Sequence, residues 1–558
     1  MQVTQLTVAA VAMALLLTIG SGLDVQADDT PDRLEAVRIF ADNVLEHARD
    51  VYREEPTPLF VDGLVVDTYE PVRWVHDEEE WIPSNLASHQ NLFRTLVALT
   101  NLTGDEKYRQ AAHDAMAYGF ENLQHENGLL YWGGHRFLDL LSGEAVGEGY
   151  RHEFKHHYPF YEFMWEVDPE RTQLFLEAFW NAHIMDWGTL DMNRHGSYDA
   201  EMGDLWDNEF EGAEPFFEGR GLTFINCGSD VIYAGAIHYM LTGEERALDW
   251  GKLLAEQYVN ARHPETGLGV YQFTMPRQTR ELPEEGDLPT GSSYGDRARN
   301  QFGAEFGDVA REGYMIRSPG SIYGTNAIMQ LQLAERLGEA GEEFIQWTVD
   351  GLRAWAEYGY DPEENLARPM WADGTDLTGF EFPRSGYYGP KGRVLQASSP
   401  PTSLIWSYAL GYRMSGDETM WETVRAMVRG LDLGDIGTAP GVGVDVNLET
   451  GANNPILLFG VLEIARSADV QAYRDLAERI GDNLVARRFH NGLFTNTADH
   501  INANVSAVEP LALLALEAML RGEPELVPPY NGGGGFYHGP HDGYGRTTDG
   551  RVLWSARR

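Results

Sequence analysis

Cysteine is nearly absent from this chain of 558 residues, which contains Cys227 alone. An intramolecular disulfide is therefore excluded, and packing or bound ions must hold the fold together. Cys227 lies in an apolar stretch, residues 224–228, a setting typical of a small buried side chain rather than of a reactive thiol. With 43% hydrophobic residues, a chain of this length can bury a large core.

Basic residues are scarce as well. The chain has 42 Lys and Arg residues against 86 Asp and Glu residues, and its formal net charge is −44. Because such a field repels polyanions, nucleic acid and anionic membrane surfaces are poor partners. An anionic substrate requires a local reversal of charge, which Arg136, Arg151, Lys155 and Arg194 could provide.

Long apolar runs are confined to the N-terminus, where residues 8–19 form a stretch too short to span a bilayer comfortably. The small-residue pattern at 25–27 favours a secretory signal over a membrane anchor. We therefore predict a signal peptide at 1–27, export to the periplasm or beyond, and one catalytic domain at 28–558. The sequence leaves the oligomeric state open.

A short pattern recurs along the chain: Thr or Ser, then Gly, then an acid. It stands at 103–105, 242–244 and 415–417, and the first two instances each have another Gly 24 residues after the first. The segment from Ser467 to Gly492 has nearly the same length. The pattern predicts helix starts, and the later Gly a left-handed C-terminal turn. Repeated helix pairs indicate an all-α fold, an (α/α) barrel or toroid of about six to seven helical hairpins around a central cleft.

Three regions lack helical periodicity. Residues 277–313 and 371–394 are long loops, which in a compact domain are usually functional, and we expect them to line the cleft. The Gly-rich tail, residues 531–558, is expected to be an irregular wrap without an assigned role.

Histidines are concentrated in one segment, since seven of the 17 lie within residues 125–195. His152, Glu153 and His156 match the H-E-x-x-H pattern of zinc proteases, in which both histidines bind metal from one helix. Pro159 and Lys155 argue against this interpretation, because proline interrupts a helix and lysine adds a cation to the motif.

A clear helix follows. Asp168 is a cap, Pro169 suits the first helical position, and an apolar stripe continues to Ala182. His183 is then more plausible as a hydrogen-bonded core residue than as a ligand. Arg194 and His195 are expected at a rim or cleft beyond the helix end.

Four segments carry a family resemblance: WGGHRF at 132–137, HEFKHHYPFYE at 152–162, FWNAHIMDW at 179–187 and NRHGSYD at 193–199. Together they resemble family 2 polysaccharide lyases, pectate lyases that use an (α/α)7 barrel. The resemblance implies that His135, Glu153 and His195 bind a divalent metal and that Arg194 is the Brønsted base. His156 and His157 remain alternative ligands.

Chemistry fits these residue types. In β-elimination a base removes the C5 proton of a uronate, and negative charge grows on the carboxylate, which a cation stabilises. Two imidazoles and one carboxylate suit a transition metal such as Mn²⁺, although Ca²⁺ is possible. Arginine is an unusual base because its guanidinium normally stays protonated, so Tyr158, Tyr198 or a histidine is kept as an alternative acceptor. Predicted substrate contacts are Arg136, Lys155, Tyr158 and Tyr198.

The sequence thus predicts an exported, metal-dependent polysaccharide lyase acting on an anionic polysaccharide or oligosaccharide, with homogalacturonan (pectate) as first choice. An (α/α)-barrel glycoside hydrolase or sugar epimerase is the alternative enzyme, and it would need paired carboxylates or histidines in the cleft. A non-catalytic glycan-binding protein is the third possibility, requiring neither the metal nor Arg194.

Overall fold

The computed structural model describes residues 31–147 and 149–553 and is dominated by helices. The predicted signal peptide at 1–27 lies outside these residues. The helices, numbered in chain order, are α1 Arg33–His47, α2 Gln90–Thr103, α3 Glu106–Asn122, α4 Tyr161–Val167, α5 Pro169–His183, α6 Ile225–Thr242, α7 Glu245–Asn260, α8 Arg297–Phe306, α9 Asn326–Leu337, α10 Glu342–Tyr358, α11 Thr402–Ser415, α12 Glu418–Gly430, α13 Pro455–Ser467, α14 Gln471–Arg488, α15 Glu509–Arg521 and α16 Asp549–Leu553.

Seven of these helices form a closed inner ring. Helices α6, α9, α11, α13, α15 and α2 contact one another in that order, and α4 contacts α6. The ring closes between α2 and α4, where the rings of Phe93 and Phe163 lie 6.1 Å apart. The outer layer consists of α3, α5, α7, α10, α12 and α14, each packed on the inner helix that precedes it, and of α1, which packs on α15. The fold is therefore an (α/α) barrel of seven hairpins, as predicted.

Tight turns join the inner helices to the outer ones. Gly104, Gly243 and Gly416 adopt φ values of 76°, 79° and 69° and end α2, α6 and α11. The acid after each glycine caps the next helix, its carboxylate accepting a backbone N–H in the first turn. The helix starts were thus predicted correctly. The glycine, however, belongs to the end of the preceding helix, because the left-handed conformation is needed there.

The closing glycines of the pattern lie beyond the helix ends. Gly128, Gly267 and Gly492 do have positive φ values, as predicted. They sit in turns that follow the ends of α3, α7 and α14, whose last residues are Asn122, Asn260 and Arg488. The predicted left-handed turn is therefore correct, but it reverses the chain after the outer helix instead of capping it.

The strands are short and lie in the segments between the helices. Among the described residues, all strand pairs are antiparallel except the pair of Glu218–Gly219 with Met275–Pro276. The strands are β1 Gly63–Val65, β2 Trp74–His76, β3 Glu79–Trp81, β4 Pro83–Ser84, β5 Arg136–Asp139, β6 Ala145–Gly147, β7 Arg151–His152, β8 Ile184–Asp186, β9 Asp191–Met192, β10 Gly196–Ser197, β11 Glu218–Gly219, β12 Met275–Pro276, β13 Met315–Ile316, β14 Tyr360–Asp361, β15 Leu366–Ala367, β16 Met370–Trp371, β17 Gly434–Asp435, β18 Asp445–Val446, β19 Phe489–His490, β20 Leu493–Phe494, β21 Asn502–Asn504, β22 His538–His541 and β23 Gly545–Thr548.

The first of the two predicted loops, at 277–313, is not irregular throughout. It contains a helix that its composition did not reveal, α8, whose first turn is capped by the Asp296 carboxylate. Within the described residues, none of the helices combines the length and the apolar character needed to cross a bilayer.

Candidate active site

Three side chains from separate segments converge at one rim of the barrel. His135 precedes β5, Glu153 follows β7 and His195 precedes β10. One ligand atom from each lies within 4.8 Å of the others. His135 and Glu153 are buried, and the His195 side chain is 17% exposed. The structure therefore brings together the three ligands that the resemblance implied.

Backbone pairing explains this convergence. Gly196 of β10 lies opposite His152 of β7, which places His195 and Glu153 side by side. The Gly134 N–H donates to the carbonyl of Glu153 over 2.9 Å. Gly133 has a φ of 95°, and a Cβ there would lie 2.8 Å from the same carbonyl oxygen. The WGG turn must therefore be glycine for His135 to approach Glu153.

A buried chain of hydrogen bonds supports the same three segments. Trp132 Nε1 donates to His152 Nε2 over 3.1 Å, His152 Nδ1 lies 3.1 Å from His183 Nε2, and His183 Nδ1 lies 2.8 Å from the Asn193 carbonyl. Because the indole and the carbonyl fix the two ends, each imidazole is neutral, with its proton on Nδ1. Burial lowers the pKa of His183 to about 4, although its bond to the Asn193 carbonyl opposes the shift. His183 is thus a core residue, as predicted.

The zinc-protease interpretation is wrong. Residues 153–160 are irregular rather than helical, so His152 and His156 do not share a helix face. His152 is used in the buried hydrogen bonds, and His156 Nδ1 lies 2.8 Å from the Tyr158 hydroxyl. His157 Nδ1 accepts a hydrogen bond from the Lys155 N–H. Neither His156 nor His157 joins the three-residue cluster.

Glu153 is the electrostatic centre of the site. Its Oε1 lies 2.7 Å from Arg194 Nη1 and 3.4 Å from His195 Nε2, and its Oε2 lies 2.9 Å from Lys155 Nζ and 3.1 Å from His135 Nε2. Burial alone would raise the pKa of Glu153. The imidazoles of His135 and His195 close to its oxygens, together with the charges of Lys155 and Arg194, outweigh burial and hold this pKa well below its usual range. The carboxylate is therefore ionised at neutral pH.

The donor set fits a divalent metal ion. Burial lowers the pKa of His195 to about 4, so its imidazole is neutral, as a metal ligand must be. His195 Nε2 is buried and has no hydrogen-bond partner among the described residues. Two imidazoles and one ionised carboxylate match the ligand preferences of transition metals.

The four predicted substrate contacts divide into two pairs. The Arg136 guanidinium lies 4.5 Å from the ring centre of Tyr131 and is partly exposed, and Lys155 reaches Glu153. Tyr158 and Tyr198 do not fit the prediction, because their side chains are buried. The Tyr158 hydroxyl lies 3.0 Å from Ser229 Oγ, and the Tyr198 hydroxyl donates to the Leu130 carbonyl. Burial raises the pKa of both phenols, so neither suits the alternative role of proton acceptor.

Sequence reasoning predicted a cleft but missed the side chains that form it beside Arg194. The Phe224 ring centre lies 5.6 Å from the Arg194 guanidinium and 5.4 Å from the Arg297 guanidinium. Arg297 also stacks on Tyr387, with its guanidinium 3.7 Å from the ring centre. Tyr387 lines a cavity of about 390 Å³ whose other lining residues are Tyr271, Glu312, Met315, Arg317, Ser318, Ser321 and Tyr388.

Both predicted cleft-lining loops contribute to this cavity. Glu312 belongs to the loop at 277–313, and Tyr387 and Tyr388 belong to the loop at 371–394. Loop length and composition indicated their place, but not which side chains would face the cleft.

Several known proteins are similar to this chain. A family model described as periplasmic pectate lyase matches residues 57–540. A pectate disaccharide-lyase of Dickeya dadantii is 35% identical over 521 residues, covering 91% of this chain and 93% of the relative. Among solved structures, a family 76 α-mannanase of Bacteroides thetaiotaomicron is 10% identical, with coverage of 88% and 97% and a TM-score of 0.40. A cellobiose 2-epimerase of Bacillus thermoamylovorans is 10% identical, with coverage of 86% and 98% and a TM-score of 0.38. The family description also names the compartment that the sequence predicted.

Proposed function

Because the chain belongs to the periplasmic pectate lyase family and is thus a polysaccharide lyase, we propose that it cleaves homogalacturonan by metal-assisted β-elimination. The observation that carries the proposal is the cluster of His135, Glu153 and His195 beside Arg194. We assign the first three residues to the metal and Arg194 to the proton transfer. Family membership argues against the hydrolase and epimerase alternatives.

In the proposed β-elimination the metal site would stabilise negative charge. A divalent ion, when bound, supplies positive charge that offsets the negative charge developing on the uronate carboxylate. His135 and His195 would hold it through Nε2, the atoms that face Glu153. The ligand set favours Mn²⁺ or another transition metal over Ca²⁺, which prefers oxygen ligands.

We assign Arg194 to removal of the C5 proton. Its side chain is 25% exposed, so it can meet a substrate, and its Nη1 contacts the buried carboxylate of Glu153. A guanidinium normally stays protonated, so Arg194 can accept the proton only in a transient neutral form. Engagement of Glu153 as a ligand would weaken its hold on the guanidinium and favour that form. As the proton moves to Arg194, the electron pair of the C5–H bond forms the C4–C5 double bond, the C4–O4 bond breaks, and the leaving O4 takes a proton from water.

The adjoining cleft supports an anionic polysaccharide as substrate. Arg317 lines it and Arg194 lies beside it, in a chain whose net charge is −44. Arg297 is buried and already paired with Glu312, so it does not count toward the free positive charge. Guanidinium groups bind carboxylates in a two-pronged geometry, and tyrosine rings stack on sugars. We infer that Arg194 and Arg317 offset locally the repulsion between an acidic protein and a polyuronate. Arg136 and Lys155 extend the cationic surface on the other side of the metal ligands.

The proposal also includes export of the protein from the cytoplasm. We assign residues 1–27 to a cleaved signal peptide and residues 28–558 to one catalytic domain. A periplasmic lyase of this kind would receive uronate oligosaccharides or polymers that have entered from outside.

Ultraviolet absorbance tests the proposal directly. Polygalacturonate mixed with purified protein and Mn²⁺ should yield an absorbing unsaturated product, and a panel of other uronate polymers should yield less. A chelator should abolish the signal, and added Mn²⁺ should restore it. New reducing ends without absorbance would indicate a hydrolase instead. Binding without any product would indicate a glycan-binding protein.

A further inference from the structure

The Gly-rich tail crosses the metal-binding segments, although the sequence suggested no role for it. Gly534 N–H donates to the His156 carbonyl over 2.9 Å, and Asn91 Nδ2 donates to the Gly533 carbonyl over 3.0 Å. A Cβ at Gly533 would lie 2.6 Å from the His156 carbonyl oxygen, and one at Gly535 would lie 2.3 Å from Ser88 Cα. The run of glycines is therefore required for close packing and is not a flexible linker.

The residues after the glycines reach the site itself. The Phe536 ring lies 5.1 Å from Lys155 Nζ, and a Cβ at Gly134 would lie 2.7 Å from Phe536 Cζ. His538 N–H donates to the Gly134 carbonyl over 2.8 Å. The tail thus covers the turn that carries His135 and the lysine that contacts Glu153.

Successive side chains along this extended stretch point to opposite sides of the backbone. Tyr537 points into a small core, where it packs against Trp74 and Phe137. Phe536 and His538, one residue to either side, therefore face the opposite way, toward the site. The ring centre of His538 lies 6.2 Å from that of His135, and His538 remains partly exposed. The hairpin of β22 and β23 anchors the segment behind it.

We propose that residues 531–538 form a fourth segment of the active site and that His538 makes a hydrogen bond to the uronate bound there. His538 is not one of the clustered ligands. Its ring borders the cluster and is partly exposed, so it can reach a substrate held at the proposed metal site. This assignment rests on the proposed function and identifies a further residue of that site.

The assignment is tested by measuring substrate binding in a protein that does not turn the substrate over. The Arg194→Lys variant serves as this background, loaded with Mn²⁺. Calorimetric titration with trigalacturonate compares its affinity with that of the double variant that also carries His538→Ala. We expect His538→Ala to weaken binding about tenfold, the value of one hydrogen bond. His538→Gln should recover most of this loss, because its amide can still donate a hydrogen bond. In the otherwise native chain, His538→Ala should raise KM with unchanged metal content and unchanged thermal midpoint.

His113→Ala is the matched control, because this histidine is about half exposed on the outer helix α3. It should leave the affinity unchanged. Unaltered affinity in His538→Ala would overturn the assignment, as would loss of the metal in that variant, which would make His538 a ligand. The two proposals fail separately: absence of unsaturated product from the native protein with any uronate refutes the lyase chemistry, whereas unchanged affinity refutes only the role of His538.

Discussion

Arg194 combines partial exposure with a direct contact to the proposed ligand Glu153, and this combination makes its chemistry testable. Arg194→Lys should fold and retain its metal but lose about 10²–10⁴-fold in kcat, the usual value of a general base. Lysine keeps the charge but lacks the planar fork and the reach of the guanidinium. Steady-state kinetics with polygalacturonate measures the loss, which should appear in kcat rather than in KM.

Arg246→Lys provides the control, because Arg246 forms a largely exposed ion pair with Asp207 at the start of α7. Its kinetics should match those of the native protein. If Arg194→Lys kept its kcat and lost only affinity, Arg194 would be a substrate contact. The alternative acceptors Tyr158, Tyr198 and His157 are all buried, so none could replace it without a local rearrangement.

His135 and His152 belong to the same region but should respond differently to substitution. His135→Ala removes a ligand, so we expect the protein to lose its single bound divalent ion. His152→Ala removes a link between Trp132 and His183 and leaves the ligands in place. Its metal affinity should fall about 10–100-fold, as for other residues that orient ligands. Metal titration of both variants, with circular dichroism to check folding, measures the difference. The reverse ranking would mean that His135 is not a ligand and that His152 is closer to the metal than the structure indicates.

At the scale of single elements, glycines in two different backbone conformations should respond to alanine with opposite signs. Gly243 has a φ of 79°, and no atom lies within 4 Å of the position that a Cβ would take, so Gly243→Ala meets only backbone strain. The cost should be about 1–2 kcal/mol. Gly303, inside α8, has an ordinary helical backbone and a roomy Cβ position, so Gly303→Ala should stabilise by about 0.5–1 kcal/mol. The urea midpoints should shift in opposite directions. An unchanged or higher midpoint for Gly243→Ala would contradict the left-handed role of Gly243, and a lower midpoint for Gly303→Ala would contradict the ordinary helical setting of Gly303.

The sequence predicted the helices well but not every boundary or side-chain direction. The outer helices α3, α7 and α12 have an acidic cap and a preceding glycine, which are local signals, so their starts could be read directly. Helix α8 was hidden because its cap, Asp296, lies in a stretch rich in Gly, Pro and acids. Tyr158 and Tyr198 are predicted from the sequence as substrate contacts because they adjoin the predicted metal ligands. Their burial depends on packing against Ser229 and Leu130, which are distant in the chain.

At the scale of the whole molecule, ring closure determines what the sequence could reveal about the site. The proposed metal ligands lie within residues 135–195, so a short stretch of sequence suffices to suggest them. Arg297, Tyr387 and His538 reach the site from segments that are distant in the chain. Loop length and composition pointed to the two loops, but nothing in the local sequence singled out these side chains or the tail, because only the closed barrel brings them together.

The net charge of −44 leads to a prediction about salt. At 0.01 M ionic strength the screening length is about 30 Å, so the whole acidic surface repels a polyuronate, whereas at 0.15 M it is about 8 Å. Contacts between Arg194 or Arg317 and the substrate act at shorter range and are screened less. We therefore expect kcat/KM on polygalacturonate to rise as NaCl increases from about 0.01 M to about 0.15 M at constant Mn²⁺. Trigalacturonate, with few charges, should show a smaller rise. A steady fall for both substrates would mean that the cationic cleft, not the acidic surface, controls their encounter with the protein.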